Sequence, residues 1–297
     1  MTLATAPVSS PQHPPRLTAH PQRTRKWWRG LLFHSGAGAL SVLWLLPIVL
    51  VLLTAIRSFD DIAFNGLGGL PHSFTLAPFG QAWGEAGLAR AMLNSAVVTV
   101  PAVVLALALS SAAAFALSRY PIPLRRTIIL LMLAGNLLPP QILLVPVSKL
   151  SELLGIYDTL FALIVVQVGF GIGFYTFVLQ GFLRGIPDEI QQAAVIDGAG
   201  TVQIFWRIIL PLARPALAAL GALAFTWTFN DLLWAITVLR TQTVMPVTPA
   251  LLGMQGVYVS TWNIIAAGSV IAAIPTVAVF LRFQKHFISG LAIGAVK

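Results

Sequence analysis

The sequence contains no cysteine, which excludes disulfides, thiolate metal sites and thiol nucleophiles. Charge is nearly as scarce: Asp, Glu, Lys and Arg make up 9% of the 297 residues, against 57% hydrophobic ones, and the mean hydropathy is +0.86. A soluble fold of this composition could not cover itself with polar surface, whereas lipid accepts apolar side chains on every outward face. Catalytic constellations are missing too. None of Lys26, Lys149, Lys285 and Lys297 follows a glycine, so the Gly-Lys-Ser/Thr phosphate loop is absent and no nucleotide cofactor is expected in this chain. The five histidines, at 13, 20, 34, 72 and 286, lack the His-Glu-x-x-His spacing of a zinc peptidase, and no nucleophile motif occurs.

What is present is a series of long apolar runs. Residues 1–30 are rich in Pro, Ser, Thr and Ala without helical periodicity, which predicts a disordered tail ending in Arg23, Arg25, Lys26 and Arg29. Six runs follow, from Leu31 to Ile56, Met92 to Leu117, Thr127 to Val147, Thr159 to Gln180, Pro215 to Leu239 and Asn263 to Phe283. Each reaches the roughly 20 residues that cross a bilayer as a helix. The expected fold is therefore all-α and polytopic, a six-span domain over residues 31–283 with a C-terminal tail over 284–297. Pro101, Pro275 and the run Gly135, Asn136, Pro139, Pro140 interrupt these spans, where freed backbone groups need a neighbouring helix or a wet cavity.

The net charge of +9 acquires a meaning from its placement. Fourteen of the eighteen Lys and Arg fall in the N-terminal tail, in the loops at 119–126 and 184–214, and from Arg282 onward. Only Arg57, Arg90, Lys149 and Arg240 fall on the other side, beside Asp60, Asp61, Glu85, Glu152 and Asp158. The positive-inside rule puts both termini in the cytoplasm, and the basic excess needs no nucleic-acid partner.

The cytoplasmic loop over 181–214 carries the most information. Pro187 suits a helix start, and Asp188 and Glu189 complement the positive end of the helix dipole. Ile190, Ala193 and Ala194 then share a face, Gly198 and Gly200 stop the helix, and a second helix from Thr201 to Leu210 ends at Pro211. Small side chains on that face allow close backbone approach, which suits docking into a protein groove. A connector lying on the membrane surface would call instead for large apolar anchors and basic residues, and this segment carries Asp188, Glu189 and Asp197.

The loop resembles the EAA loop of the permease subunits of ATP-binding-cassette importers, in which Glu-Ala-Ala is followed after three residues by Gly and later by Leu-Pro. Here Gln192, Ala193 and Ala194 precede Asp197 and Gly198, with Leu210 and Pro211 beyond. Gln192 stands in place of the family's Glu, and Asp188 or Glu189 is left to supply the charge. Leu93, Asn94 and Ser95, the stretch Leu117 to Pro121, Ile186 to Glu189, and Ile196 to Gly198 are similar to carbohydrate-type permeases. The ending Gly290, Leu291, Gly294, Ala295, Val296 and Lys297 resembles the maltose-type second permease subunit.

The resemblance implies a cytoplasmic coupling helix gripped by an ATPase. It further implies a heterodimer with a homologous permease, an ATPase subunit dimer that binds ATP and Mg, an extracytoplasmic solute-binding protein, and the bacterial inner membrane as location. It gives residues 294–297 a place between the ATPase subunits and makes the cargo a carbohydrate. A polyol or glycerol-phosphate cargo stays open.

Asp231 is the remaining polar singularity. Counted from Pro215 as one helix, it lies about 24 Å along a span crossing a core about 30 Å thick. Trp227 and Asp231 would then share a face, and Asn230 joins them in a pair similar to the family's Trp-Asn motif. An aromatic surface with an acceptor suits sugar hydroxyls; the alternative is a structural Asp paired to a neighbouring helix, and the resemblance implies that the partner permease can carry much of the substrate contact. The loop from Arg240 to Trp262, through Gln255 and Gly256, is either a capping loop or, by the same resemblance, a contact to the binding protein. A stand-alone secondary transporter, the rival to an importer subunit, would normally show midplane titratable groups or an inverted repeat, and Asp231 alone offers little of either.

Overall fold

The computed structural model describes residues 23–254 and 261–295, with side chains over 31–254 and 261–285. The described residues are helical and contain no strand. In chain order the helices are α1 (Arg23–Ala55), α2 (Phe59–Asn65), α3 (Ala77–Gly80), α4 (Leu88–Arg119), α5 (Arg125–Leu137), α6 (Pro140–Leu153) and α7 (Leu160–Leu183). They continue with α8 (Asp188–Ile196), α9 (Thr201–Ile204), α10 (Leu210–Leu212), α11 (Arg214–Phe229), α12 (Leu233–Val238), α13 (Val247–Gly253) and α14 (Trp262–Ala295). Helix α1 takes in the basic cluster at 23–29, and α14 runs unbroken through Arg282 and Lys285. Neither residue 30 nor residue 284 marks a helix end. Residues 1–22, the stretch 255–260 with Gln255 and Gly256, and Val296 and Lys297 lie outside the described residues, as do the side chains of Gly290, Leu291, Gly294 and Ala295.

Four helical segments are individually long and apolar enough to cross a bilayer, at 31–55, 88–119, 160–183 and 262–285. Two bent pairs bring the number to six when each counts as one span. The first pair, α5 with α6, replaces the single helix expected over Thr127 to Val147 and bends by 96°. Its cause is local. Leu138 is extended at φ −69° and ψ 136°, as a residue before proline must be, and Pro140 opens the next helix where no N–H is required.

The second pair joins the helical stretch 201–212 to α11 with a bend of 73°. Here the expected stop at Pro211 is corrected. The chain stays helical to Leu212, because a π-turn over Phe205–Ile209 resets the hydrogen-bond ladder just before the proline that cannot donate.

Contacts divide the chain near residue 50, and the described residues from Leu50 onward form one compact unit. Residues 31–50 of α1 are exposed throughout. Within the compact unit, α4 and α7 form the central pair, α11 packs on α4 and α14, and α5 on α7. The approach of α5 to α7 requires glycine, since a Cβ at Gly173 would sit 2.1 Å from the Met132 carbonyl oxygen. Outward faces carry exposed Leu, Val and Phe, such as Val104, Leu131 and Phe280, as lipid contact allows.

The loop after α1 is organised by one buried cation. Arg57, 1% exposed, donates Nε to Asp61 Oδ2 at 2.7 Å and reaches the carbonyls of Gly66 (3.0 Å) and Gly69 (3.1 Å). Asn65 Nδ2 donates to Asp61 Oδ1 at 2.7 Å, and the His72 N–H donates to Oδ2. The Arg57 hydrogen bond, against the opposing effect of burial and with help from Asn65 and His72, lowers the Asp61 carboxyl from 3.8 to about 2. A carboxyl lowered in the folded state stabilises fully above its ordinary value and stops doing so as pH falls through the lowered one. Hydrogen exchange over residues 58–72, corrected for intrinsic rates, is therefore expected to accelerate between roughly pH 4 and pH 2. Asp61→Asn should exchange rapidly already at neutral pH, and pH-independent protection would count against this arrangement.

Candidate functional site

The loop over 184–213 is held to the transmembrane bundle by Arg119. Helices α4 and α7 run parallel, so their C-termini meet, and the Arg119 side chain, 2% exposed, bridges them. Its Nη2 donates to the carbonyls of Leu183 at 2.7 Å and Ile186 at 2.9 Å, and its Nη1 to the Asp188 carboxylate. Three acceptors between the end of α7 and the start of α8 thus share one guanidinium, whose planar fork suits such a task. Tyr120, the next residue, donates its hydroxyl to Thr201 Oγ1 at 3.2 Å, fixing the start of α9.

Helix α8 begins and ends as its sequence dictates, with Pro187 as N-cap and Asp188 and Glu189 in the first turn. At its end Gly198 adopts φ +80°, its N–H donates to the Val195 carbonyl at 3.0 Å, and the Ala199 N–H donates to Ala194 at 2.9 Å. This double closure needs the left-handed conformation that glycine adopts without steric cost. The expected Ile-Ala-Ala face is divided, however. Ala194 is buried in the chain's own cluster with Phe115, Leu183 and Ile204, while Ile190 and Ala193 point outward with Glu189, Gln192, Asp197 and an Ile196 that is 85% exposed. Asp188 is likewise engaged by Arg119, which leaves Glu189 as the free carboxylate of the first turn. Leu210 and Pro211 sit in the turn before the bend at Ala213.

The second site is a cavity of about 560 Å³ between α5, α7, α11 and α12. Trp227, Asn230 and Asp231 all line it, but their geometry corrects the single-helix expectation: α11 ends at Phe229, Asn230 is its C-cap, and Asp231 belongs to the break before α12. The i, i+4 argument for Trp227 and Asp231 therefore does not hold as helix geometry; the break brings them to the same cavity instead. The Asp231 carboxylate caps α12, accepting from the Ala235 N–H at 3.0 Å and the Trp234 N–H at 3.5 Å. Asn230 donates to the Thr226 carbonyl at 2.8 Å and to Thr276 Oγ1 of α14 at 3.3 Å. Trp227 is 53% exposed, its ring centroid 5.4 Å from that of Phe174, and Trp234 stacks on Phe170 at 4.4 Å.

Asn136, at the break between α5 and α6, and Gln167 of α7 complete the polar lining. Gln167 went unnoticed in the sequence, although an amide in the middle of an apolar span is a signal that finds it. Far along the chain, Asp158 ties down the other end of α12. Its carboxylate accepts from Thr241 Oγ1 (2.5 Å), the Thr241 N–H (2.9 Å) and the Arg240 N–H (2.7 Å), donors that hold its carboxyl below the usual range, the Thr241 hydroxyl foremost. Asn94 and Ser95 have a related task, binding the Thr243 and Met245 carbonyls and the Val247 N–H.

Residues 99–292 match the sequence profile described as binding-protein-dependent transport system inner membrane component. The chain belongs to that family. Among similar permeases are the melibiose/raffinose/stachyose import permease protein MelC of Bacillus subtilis, 30% identical over 85% of this chain and 91% of its own, and the arabinooligosaccharides transport system permease protein AraQ of Halalkalibacterium halodurans, 33% identical over 84% and 90%. The fold matches a chain in the crystal structure of a bacterial ABC transporter involved in the import of the acidic polysaccharide alginate, with a TM-score of 0.78 at 23% identity over 91% of this chain and all of that one. This permease is thus a multi-pass membrane subunit with the fold its relatives share.

The Arg119 tie yields a direct test. Arg119→Leu removes charge-assisted bonds worth roughly 1.5–3 kcal/mol each. Faster amide exchange over residues 184–196 is expected, with α4 itself still protected; unchanged exchange there would show that α8 is held by other contacts.

Proposed function

We propose that this permease is one half of the membrane pathway of an ATP-driven importer that receives a carbohydrate from a solute-binding protein and passes it to the cytoplasm. The observation that carries the reading is the cavity, where an open indole face stands beside the amides of Asn136, Gln167 and Asn230. Aromatic faces stack on the C–H surfaces of sugars while amides exchange hydrogen bonds with hydroxyls. Relatives named for melibiose, raffinose, stachyose and arabino-oligosaccharides support the same class of cargo.

In this reading the chain pairs with a homologous permease, and an ATPase dimer binds ATP and Mg in the cytoplasm. The outward residues of α8, Glu189, Gln192, Ala193 and Asp197, meet the ATPase; Ala194, Asp188, Gly198, Leu210 and Pro211 hold the helix in place from behind. The tail Gly294, Ala295, Val296 and Lys297 reaches between the ATPase subunits. The distribution of Lys and Arg supports an inner-membrane orientation with both termini and α8 in the cytoplasm. Closure of the ATPase pulls α8, and Arg119 passes the pull to α4 and α7, which carries Gln167, Phe170 and Phe174 of the cavity.

Purification of the complex from co-expressed subunits is expected to bring down a second permease and an ATPase pair. Mass spectrometry of ligand retained by the cognate binding protein is expected to find a carbohydrate. Uptake by this chain alone in proteoliposomes without ATP, or a peptide as retained ligand, would overturn the proposal. Gly198→Val forces a β-branched residue into the left-handed region at about 1–2 kcal/mol; uptake should fall at least tenfold while ATP hydrolysis persists. Normal uptake in that variant would remove α8 from the coupling path.

A further inference from the structure

The cavity lining has a charge pattern that narrows the cargo, given the reading of it as the cargo pathway. Asp231 is its only ionisable acid or base apart from the Tyr175 phenol, and no Lys, Arg or His is among its described lining residues. Everything else offered to a ligand is neutral: aromatic faces, of which Trp227 is the most open, and the amides of Asn136, Gln167 and Asn230. The carboxylate cannot withdraw, because its oxygens are committed to the N–H groups of Trp234 and Ala235 at the start of α12.

We infer that this permease selects uncharged saccharides and rejects anionic ones, sugar acids, sugar phosphates and glycerol phosphate included. Recognition of a carboxylate or phosphate draws on cationic forks, and the described lining presents no cation, only neutral amides and indoles beside Asp231. It holds a fixed carboxylate on the wall of an open cavity, where a like charge is repelled and added salt weakens that repulsion. The likeness to a transporter of acidic alginate is thus one of fold, and in this chain the cargo charge is set by the lining.

The test uses the assembled complex of both permeases and the ATPase pair in nanodiscs, without binding protein, so that selection upstream plays no part. Saturation-transfer NMR compares maltotriitol with maltotrionate and cellobiitol with cellobionate, pairs that share the same open-chain end and differ only in a C1 hydroxymethyl against a C1 carboxylate. The neutral member is expected to bind at least tenfold more tightly at low salt, and the gap to narrow at high salt. Asp231→Asn should narrow it further, and the salt series on the unaltered complex stands even where that variant fails to assemble. Aldonates that bind as tightly as the neutral sugars would overturn the charge selection and leave the pathway intact. Absence of contact with any of the four sugars, or contact unchanged in Trp227→Ala, would overturn the pathway reading itself and this inference with it.

Discussion

Backbone N–H and C=O groups within an apolar slab must find partners, and this constraint governs where the permease departs from regular helix. Its departures converge. The break between α5 and α6 contributes Asn136, the break between α11 and α12 contributes Asn230 and Asp231, and both open on one cavity. At the second break the Asp231 carboxylate takes two of the N–H groups that a new helix leaves unpaired, while Asn230 binds back to Thr226 and across to α14. The irregular backbone is tolerated because it is capped by its own side chains, and the same side chains give the cavity its polarity.

The parallel pair α4 and α7 connects this cavity to the loop that carries α8. At one end Arg119 gathers the last carbonyl of α7 and the start of α8. At the other, Asn94 and Ser95 of α4 hold the 243–247 segment, and Asp158 holds the chain as it leaves α12. Between them α7 presents Gln167, Phe170 and Phe174 to the cavity. Since packed helices shift as units rather than deform continuously, a displacement at α8 has a stiff route to the cavity wall. Gly173 keeps α5 against that route by allowing its backbone within contact of α7.

Legibility in the sequence followed the range of the interactions. The end of α8 at Gly198, the break at Pro139 and Pro140, and the acidic first turn at Asp188 and Glu189 are decided within a few residues, and each was readable. Pro211 stands one residue inside the end of its helix, because a π-turn closing at Ile209 absorbs its missing donor, a device invisible to a rule that stops helices at proline. Trp227 and Asp231 belong to one site for a reason other than the one their spacing offered. Helical period placed them on one face, whereas the chain in fact unwinds between them and turns both toward α7.

The sequence by itself determined the solvent, the number of apolar runs and the ends of α8, because hydropathy, charge placement and short-range caps are local and additive along the chain. Tertiary structure alone decided which side of α8 stays free, that Asp188 is spent on Arg119, 69 residues away, and that three amides and a lone carboxylate share a cavity. Those outcomes depend on side chains meeting across helices, and no periodicity within one segment encodes its partner in another.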